Sequence, residues 1–471
     1  MRTYIKDLNK EIDKEVLVEA WVKVRRDQGK MIFLDLRDVS GVVQAVILPF
    51  HKEALEVSNA LRTEWCVSIN AKVNKRPEKN IKTDVQNGDI ELEVLNINVL
   101  NESNTPPFDL TTDGLEVNEE VRLKYRYLDL RRERLSKTLK NRSKVQQFIR
   151  NYLIDNNNFT EVETPLLSAP TPEGSRSYVV PSRLWKDNFY SLPQSPQQYK
   201  QLLMVGGIER YFQFARCMRD EDTRGDRQPE FTQLDMELSF VSEEDIINLN
   251  EDLIIKTVEK FYPEKKIQQI PFPRMSYKEA MEKYGNDRPD IREDKNDSDL
   301  LAFLWVVDFP MFEKTSEDNL DGTGEWTFTH NPFSRPRDEY MNDFVEKKNI
   351  GNILTTQYDI TLNGFEIGGG SLRNHKGDIL RKTFEIMGYD KEKIDRMFGH
   401  MIEALDFGAP PHGGIAWGFD RFIMLMENEP NIREVIPFAK TGEGKDLMMN
   451  APSGISDKQK KELGLKFEVK G

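Results

Sequence analysis

The stretch YFQFARCMRDEDTRGDRQPEFTQLDMELSF, residues 211–240, decides the fold. It reads as two strands joined by a loop from Asp220 to Pro229. In the second strand Phe231, Gln233, Asp235, Glu237 and Ser239 alternate with Thr232, Leu234, Met236, Leu238 and Phe240. Successive strand side chains point to opposite faces, so one face is apolar and the other carries polar groups and one aromatic ring. The first strand sets Gln213 and Arg219 on one face and Phe212 and Phe214 on the other. The loop sets Asp220, Glu221, Asp222 and Asp226 against Arg219, Arg224 and Arg227. A fixed guanidinium fork beside carboxylates suits a nucleotide phosphate and its adenine edge. A hairpin with a salt-bridged, solvated tip has the same composition, and the charge run alone leaves both readings open.

Composition bounds the rest of the chain. A length of 471 residues suggests roughly three domains, each with ample core. A charged fraction of 31% beside 38% hydrophobic residues fits a soluble globular protein. The net charge of −13 argues against a generally basic coat, so contact with a nucleic acid has to use local patches. Arg122 to Lys144 is such a patch, with ten Lys or Arg against only Asp129 and Glu133. Cys66 and Cys217 lie far apart and the histidines are scattered, which excludes a disulfide framework or a structural zinc site. The opening MRTYIKDLNKEIDK lacks the apolar core of a signal peptide. No run of about 18 apolar residues occurs, because FLWVVDFPMF is broken by Asp308. The expectation is a cytoplasmic protein with no membrane contact.

From Glu15 to about Leu100 the pattern is one of short alternating strands. Val16, Val18, Ala20, Val22 and Val24 share one face, and so do Ile32, Leu34 and Leu36. Met31, Phe33, Asp35 and Arg37 fall on the opposite face, with Gln44 beside them. An outward Phe flanked by basic and amide groups stacks a nucleobase and reads its edge, or is an ordinary exposed ring under a loop. Pro106-Pro107 marks a linker. Asn118-Glu119-Glu120 then opens a helical segment leading into LKYRYLDLRRERL, a basic face that either meets RNA or is simply solvated. An amphipathic helix follows, with Val145, Phe148, Ile149, Tyr152 and Leu153 on its apolar stripe and Asn156–Asn158 ending it.

Three segments in this order carry a resemblance. FARCMRDED with RQPEFTQLDMELSF resembles motif 2 of the class II aminoacyl-tRNA synthetases, in the form of their bacterial aspartyl members. TPLLSAPTPEGSRSYVVPSR (164–183) resembles motif 1, with Pro165 at its proline, running into the flipping loop. GGIAWGFDRFIML (413–425) resembles motif 3, and WVKVRRDQGKMIFLDLRDVSGVVQ resembles the anticodon-binding OB-fold of the same family. The resemblance implies an α+β protein: an N-terminal OB-fold β-barrel over 1–104, a hinge over 105–138, and a class II catalytic domain over 139–471. That last domain would be an antiparallel sheet flanked by helices. Bacterial-type members carry a large extra domain between segments resembling YGNDRPDIR and FLWVVDFPMF. Only the charged connector Glu293–Leu300 stands there in this chain.

The resemblance also implies site residues. Arg219 and Arg421 are expected to be catalytic, on the α- and γ-phosphates of ATP. Asp220, Glu221, Gln228, Phe231, Glu366, Gly418, Phe419 and Asp420 are expected at the nucleotide, with Phe231 stacked on adenine. The amino acid, L-aspartate, is expected to meet Glu173, Gln197, Lys200, Arg219, Asp235, His330 and Arg373. FTHNPFSRP (328–336) matches an HHPF segment, with Asn331 in place of the second His. Asp359 and Glu366, in YDITLNGFEIGGGSLR, resemble the pair that holds Mg²⁺ against ATP, a hard cation that takes oxygen ligands. Gly368–Gly370 beside them would otherwise only permit close strand packing. Arg26, Phe33 and Gln44 match anticodon-reading positions. Ala439 stands where relatives have proline.

The implied activity is aspartate–tRNA ligation, with tRNA(Asp) as partner and a homodimer built through motif 1. Lys200, His330 and Arg373 are expected to form a cationic pocket for an anionic side chain. Charging of tRNA(Asn) as well stays open, because Gln28 in RRDQGKMIF fits neither preference. Asparaginyl and lysyl synthetases are the enzyme rivals. A non-catalytic tRNA-binding paralogue is the rival of another class, and is disfavoured by the presence of Arg219, Glu366 and Arg421.

Overall fold

In the computed structural model, residues 1–83, 85–170, 175–315 and 324–466 are described. The chain divides into two compact units, Met1–Asn118 and Glu119–Gly471.

The first unit is a closed five-stranded barrel. Its strands are β1 (Glu15–Asp27), β2 (Ile32–Asp38), β3 (Gly41–Ile47), β4 (Cys66–Lys75) and β5 (Ile90–Asn101), in spatial order β1-β2-β3-β5-β4. Alternation builds it: Val16, Val18, Ala20, Val22, Ile32, Leu34 and Leu36 all point into one core. Val24 departs from this pattern. A bulge between Val22 and Val24 shifts the pairing of β1 with β2, so Val24 loses its place on the core face.

The second unit is built on an eight-stranded sheet. Its strands are β6 (Thr160–Glu161), β7 (Arg210–Met218), β8 (Glu230–Ser239), β9 (Arg274–Ser276), β10 (Phe303–Val307), β11 (Gln357–Leu362), β12 (Phe365–Leu372) and β13 (His412–Gly418). Their spatial order is β9-β10-β11-β12-β13-β8-β7-β6. The central pairs are antiparallel, while both edge strands, β6 and β9, join in parallel. Leu234, Met236 and Leu238 bury the apolar face of β8 against helices Glu133–Asn157 and Glu243–Phe261. The expected alternation ends one residue early. Phe240 takes a left-handed φ of 57° and is 69% exposed, so the ring leaves the core face. Among the described residues no helix is long and apolar enough to cross a membrane.

The basic segment after Asn118 divides: Lys124, Lys137, Lys140 and Lys144 are exposed, while three of its arginines turn inward. Arg122 clamps Glu434 with both Nη atoms, at 3.0 and 2.9 Å, and Arg134 adds a third bond at 2.8 Å. Arg126 and Arg132 both reach Asp129 at 2.8 Å, and Arg126 also donates to the carbonyls of Arg433, Ile436 and Pro437. Arg122, Arg126 and Arg132 are buried. Buried guanidinium groups demand anions and carbonyls inside the protein. The segment Glu429–Pro437 supplies most of them.

Burial opposes the charge on Glu434, yet Arg122 and then Arg134 outweigh it and hold the carboxyl down at about 2. A carboxyl depressed by folding stabilises the protein above its ordinary titration range and loses that contribution as pH falls towards the folded value. Glu434→Gln should therefore cost roughly 3–5 kcal/mol at about pH 7, because buried Arg122 and half-buried Arg134 lose their shared anion. In urea titrations the gap to the unsubstituted protein should narrow below about pH 4. A gap independent of pH would remove the ion-pair explanation.

Candidate active site

The polar face of β8 is buried, not solvated, and its charges meet partners from two other elements. Lys200 comes from the helix Gln197–Val205, whose first turn follows the SLPQSP segment. Its Nζ lies 3.1 Å from Asp235 and 3.2 Å from Glu237. Arg373, just past the end of β12, grips Glu237 with Nε at 2.9 Å and Nη2 at 3.1 Å. It also donates to Ser371 Oγ at 2.8 Å. All four charged side chains are buried. Glycines make the room: a Cβ on Gly414 would sit 2.1 Å from a Glu237 carboxylate oxygen, and one on Gly370 would sit 2.0 Å from the Gly414 carbonyl.

The expected cationic trio is thus corrected. Lys200 and Arg373 arrive already neutralised by Asp235 and Glu237. His330 packs edge-on against Phe309 at 4.8 Å, and burial, opposed chiefly by Glu366, lowers its pKa and keeps it neutral. Asn331 accepts from the Phe333 amide and the Ser334 hydroxyl, so it ties down the local turn. The two acids behave differently. Burial, opposed by Lys200 and reinforced by Glu237, raises Asp235 to about 6. For Glu237 burial is outweighed by Arg373 and Lys200, which hold it at about 2. Glu237 was not among the expected site residues, although its position two residues after Asp235 puts it on the same strand face.

A cavity of about 350 Å³ opens from this quartet towards the loop after β7. Arg219 lies over the Phe231 ring at 5.2 Å, and its buried Nε has no partner. Arg421 donates to the Glu366 carbonyl and reaches Asp226 Oδ2 at 3.1 Å, leaving its buried Nε unpaired. Gln228 Oε1 accepts from the Lys440 amide at 2.8 Å, while its Nε2 stays unpaired. Buried donors are normally satisfied, so three donors without a partner among the described residues, all around one cavity, call for an acceptor-rich ligand. A flat aromatic ring beside them adds a stacking surface.

Not every expected nucleotide residue reaches this cavity. Gly418, Glu221 and Glu366 line it, and Glu221 is bonded by Ser175 and by Arg227 at 3.2 Å. Asp220 instead forms a backbone bridge with Arg176 and does not line it. Phe419 is wholly buried against Phe214 and under Arg142, so it is a core residue. Asp420 borders the cavity, but its carboxylate is taken by the Thr232 amide at 2.7 Å and by Arg142 at 2.5 Å. Helix Phe419–Met426 starts here; Asp420 ties it to β8 through the Thr232 amide, and Arg421 lines the cavity beside it. Glu173 lies outside the described residues.

Asp359 and Glu366 face each other across the β11–β12 hairpin over Gly369. A Cβ there would lie 2.5 Å from one Asp359 oxygen and 3.8 Å from one of Glu366. Burial, then the charge of Glu366, raises Asp359 well above the carboxylate range. Among the described residues neither acid forms an ion pair with Lys or Arg, and no third His, Cys, Asp or Glu completes a metal-binding cluster. Two repelling oxygen donors with open positions fit Mg²⁺, which keeps waters and takes phosphate oxygens.

In the barrel, Arg26 pairs in register with Phe33, and Asp35 with Gln44, on the outer face. Arg26 holds Asp35 through two bonds of 2.7 and 2.8 Å. The three expected residues therefore form one patch, with Phe33 half-buried.

Comparison with known proteins shows the family. Residues 118–442 match the family model described as tRNA synthetases class II (D, K and N), and residues 16–100 match an OB-fold nucleic acid binding domain. The chain is 36% identical to an aspartate–tRNA ligase of Staphylococcus epidermidis, over 97% of each protein. It is 38% identical to an aspartate–tRNA(Asp/Asn) ligase of Rubrobacter xylanophilus, over 96% of this chain and 94% of the relative. The first alignment runs to 585 positions, more than this chain's own length, so the relative carries inserted residues. Among solved structures, an asparaginyl-tRNA synthetase of Pyrococcus horikoshii superposes with a TM-score of 0.74 at 21% identity, over 94% of this chain and 98% of that one. An aspartyl-tRNA synthetase of Entamoeba histolytica gives 0.70 at 23%, over 93% and 91%. Likeness at that identity speaks for the fold.

The quartet yields a stability test. Glu237→Gln leaves Lys200 and Arg373 sharing one carboxylate and should cost roughly 3–5 kcal/mol in urea unfolding. Adding Arg373→Met removes the stranded cation, so the double variant should be more stable than Glu237→Gln alone. Additive losses would mean that the two side chains do not act as a pair.

Proposed function

Because the chain belongs to the class II tRNA synthetases of the D, K and N group, we infer that it is an aspartate–tRNA ligase. One observation carries the reading: a single cavity joins the Lys200–Asp235–Glu237–Arg373 quartet to the unpaired donors of Arg219, Gln228 and Arg421. One end takes an amino acid with charges of both signs. The other takes a nucleotide.

The first step is attack by the α-carboxylate of aspartate on the α-phosphorus of ATP, with pyrophosphate leaving. Such a step needs alignment and neutralised charge more than a protein base. Arg219 holds the α-phosphate and Arg421 the γ-phosphate, with adenine on Phe231. Asp359 and Glu366 would hold Mg²⁺, which supplies charge neutralisation at the phosphates when bound. In the second step a terminal ribose hydroxyl of the tRNA attacks the activated carbonyl and releases AMP.

Selection of aspartate works by exchange of partners. The substrate ammonium takes Asp235, and the side-chain carboxylate takes the Lys200 so released. Asparagine brings the ammonium without the carboxylate and leaves Lys200 buried without its own anion, a loss of roughly 2–5 kcal/mol. Lysine would add a further cation. The outer patch of Arg26, Phe33 and Gln44 reads the anticodon of tRNA(Asp), the barrel of 1–104 being the tRNA-reading domain and 139–471 the catalytic one. Of the expected hinge over 105–138, the part from Glu119 onward belongs to the catalytic unit, which leaves the stretch before it as the connector. Leu166 and Leu167, 46% and 53% exposed in the motif 1 segment, support a homodimer there. The protein works in the cytoplasm, where charged tRNA is used.

Pyrophosphate exchange into ATP should depend on L-aspartate and Mg²⁺ and be at least about tenfold weaker with asparagine. Equal exchange with the two amino acids would sink the role given to Lys200. Aminoacylation of tRNA(Asp) and tRNA(Asn) side by side tests the wider specificity named for the Rubrobacter relative.

Phe33→Ala separates reading from packing. Loss of one stacked base, roughly 1–3 kcal/mol, should weaken aminoacylation about fivefold to a hundredfold. Exchange without tRNA and the thermal midpoint should hardly move. A parallel fall in all three would make Phe33 a packing residue.

A further inference from the structure

The amino-acid end of the cavity is backed by two side-chain amides, half-buried Gln197 and buried Gln201, that lead to a histidine. His412 is 1% exposed, and its Nδ1 lies 2.7 Å from the Pro410 carbonyl oxygen. A carbonyl oxygen only accepts, so Nδ1 carries the hydrogen. Burial, opposed most by Glu237, lowers the pKa of this ring, so it stays neutral and Nε2 keeps its lone pair. That nitrogen lies 3.1 Å from Gln201 Nε2, which must donate to it. Gln201 is fully buried, so its amide polarity is fixed and its Oε1 faces Gln197, accepting from Gln197 Nε2 at 3.0 Å. An amide has one donor end and one acceptor end. The orientation therefore passes down the row and leaves Gln197 Oε1 as the end available to the cavity, which Gln197 lines together with Ser195 and Asp235.

We propose that His412 and Gln201 are positioning residues that lock the Gln197 amide with its oxygen, not its NH₂, towards the α-ammonium of the amino-acid substrate. The row Pro410–His412–Gln201–Gln197 touches no substrate except at its last member. Its reversal would aim two N–H donors at a cation. The proposal rests on the reading of this cavity as an aspartate site, and the test separates the two.

One arm needs no substrate. Long-range ¹H–¹⁵N spectra of the full-length, ligand-free protein, with the His412 signals identified by their loss in His412→Gln, should show the Nδ1–H tautomer. An Nε2–H tautomer or an imidazolium at neutral pH overturns the row, whatever the enzyme's substrate. The second arm is kinetic. In His412→Leu the KM for aspartate in pyrophosphate exchange should rise roughly tenfold or more, the loss expected of a hydrogen bond to a charged group. Inhibition by succinate, which is aspartate without its ammonium, and the KM for ATP should both stay within about twofold. His412→Gln, whose amide oxygen can accept near the position of Nε2, should recover most of the aspartate affinity. Gln201→Leu gives the same split if His412→Leu does not fold. Parallel weakening of aspartate and succinate, or equal damage from Gln and Leu at position 412, overturns the proposal. Absence of aspartate-dependent exchange in the unsubstituted protein would remove the aspartate reading, while the spectra still decide the amide row.

Discussion

The catalytic unit depends on pairing the charges of a buried sheet face. Burying a lone charge costs several kcal/mol even after relaxation, and only close opposite charges with further hydrogen bonds recover it. Asp235 and Glu237 on one strand therefore dictate where a helix and a second strand can go: Lys200 and Arg373 have to arrive within about 3 Å of them. The glycine floor follows from the same demand. Gly414 stands opposite Glu237 in register, and no larger residue leaves room for that carboxylate.

A second buried ion-pair group sets the loop beside the Arg219 end of the cavity. Arg122 and Glu434 are 312 residues apart in sequence, yet bonded through two atoms each. Held by this clamp, the Asn431–Lys440 segment reaches the loop after β7. The Ile432 amide donates to the Gly225 carbonyl at 2.9 Å, Arg433 to the Arg224 carbonyl at 3.2 Å, and the Lys440 amide to Gln228 at 2.8 Å. Helical residues near 120 thus position a cavity-lining loop near 225 through a segment near 432. Loops carry function where a rigid scaffold fixes them, and here buried arginines do the fixing.

Strand alternation made the hairpin of 211–240 and the barrel core legible, because period-two burial is written directly in residue order. The motif segments gave the composition of the cavity. What residue order does not carry is partner identity. Whether Arg122 faces RNA or Glu434 is a long-range fact, so the basic run looked like a patch. The trio of Lys200, His330 and Arg373 looked cationic for the same reason, since Asp235 and Glu237 cancel two of its charges only in three dimensions. Phe419 sits inside a matching motif but faces the core, and Asp420 borders the cavity with its carboxylate already taken, because a helix turns successive side chains by about 100°. The bulge at Val22/Val24 and the left-handed Phe240 are local backbone choices without a clear residue signature.

The contrast between the two acids of the quartet also has a functional meaning. Glu237 lies between two cations and stays ionised at about 2, which makes it a fixed counter-ion of the fold. Asp235 has one cation partner and a like-charged neighbour, and burial lifts it to about 6. It is the weakly held member. On the function proposed above, a substrate ammonium beside Asp235 would supply the second cation that Glu237 already has, favouring the ionised form. The same contact would loosen the hold of Asp235 on Lys200 and free the lysine for the substrate carboxylate. Ligand-free neutrality and ligand selectivity would then come from one arrangement, since only an amino acid with an added negative charge would leave every buried ion paired.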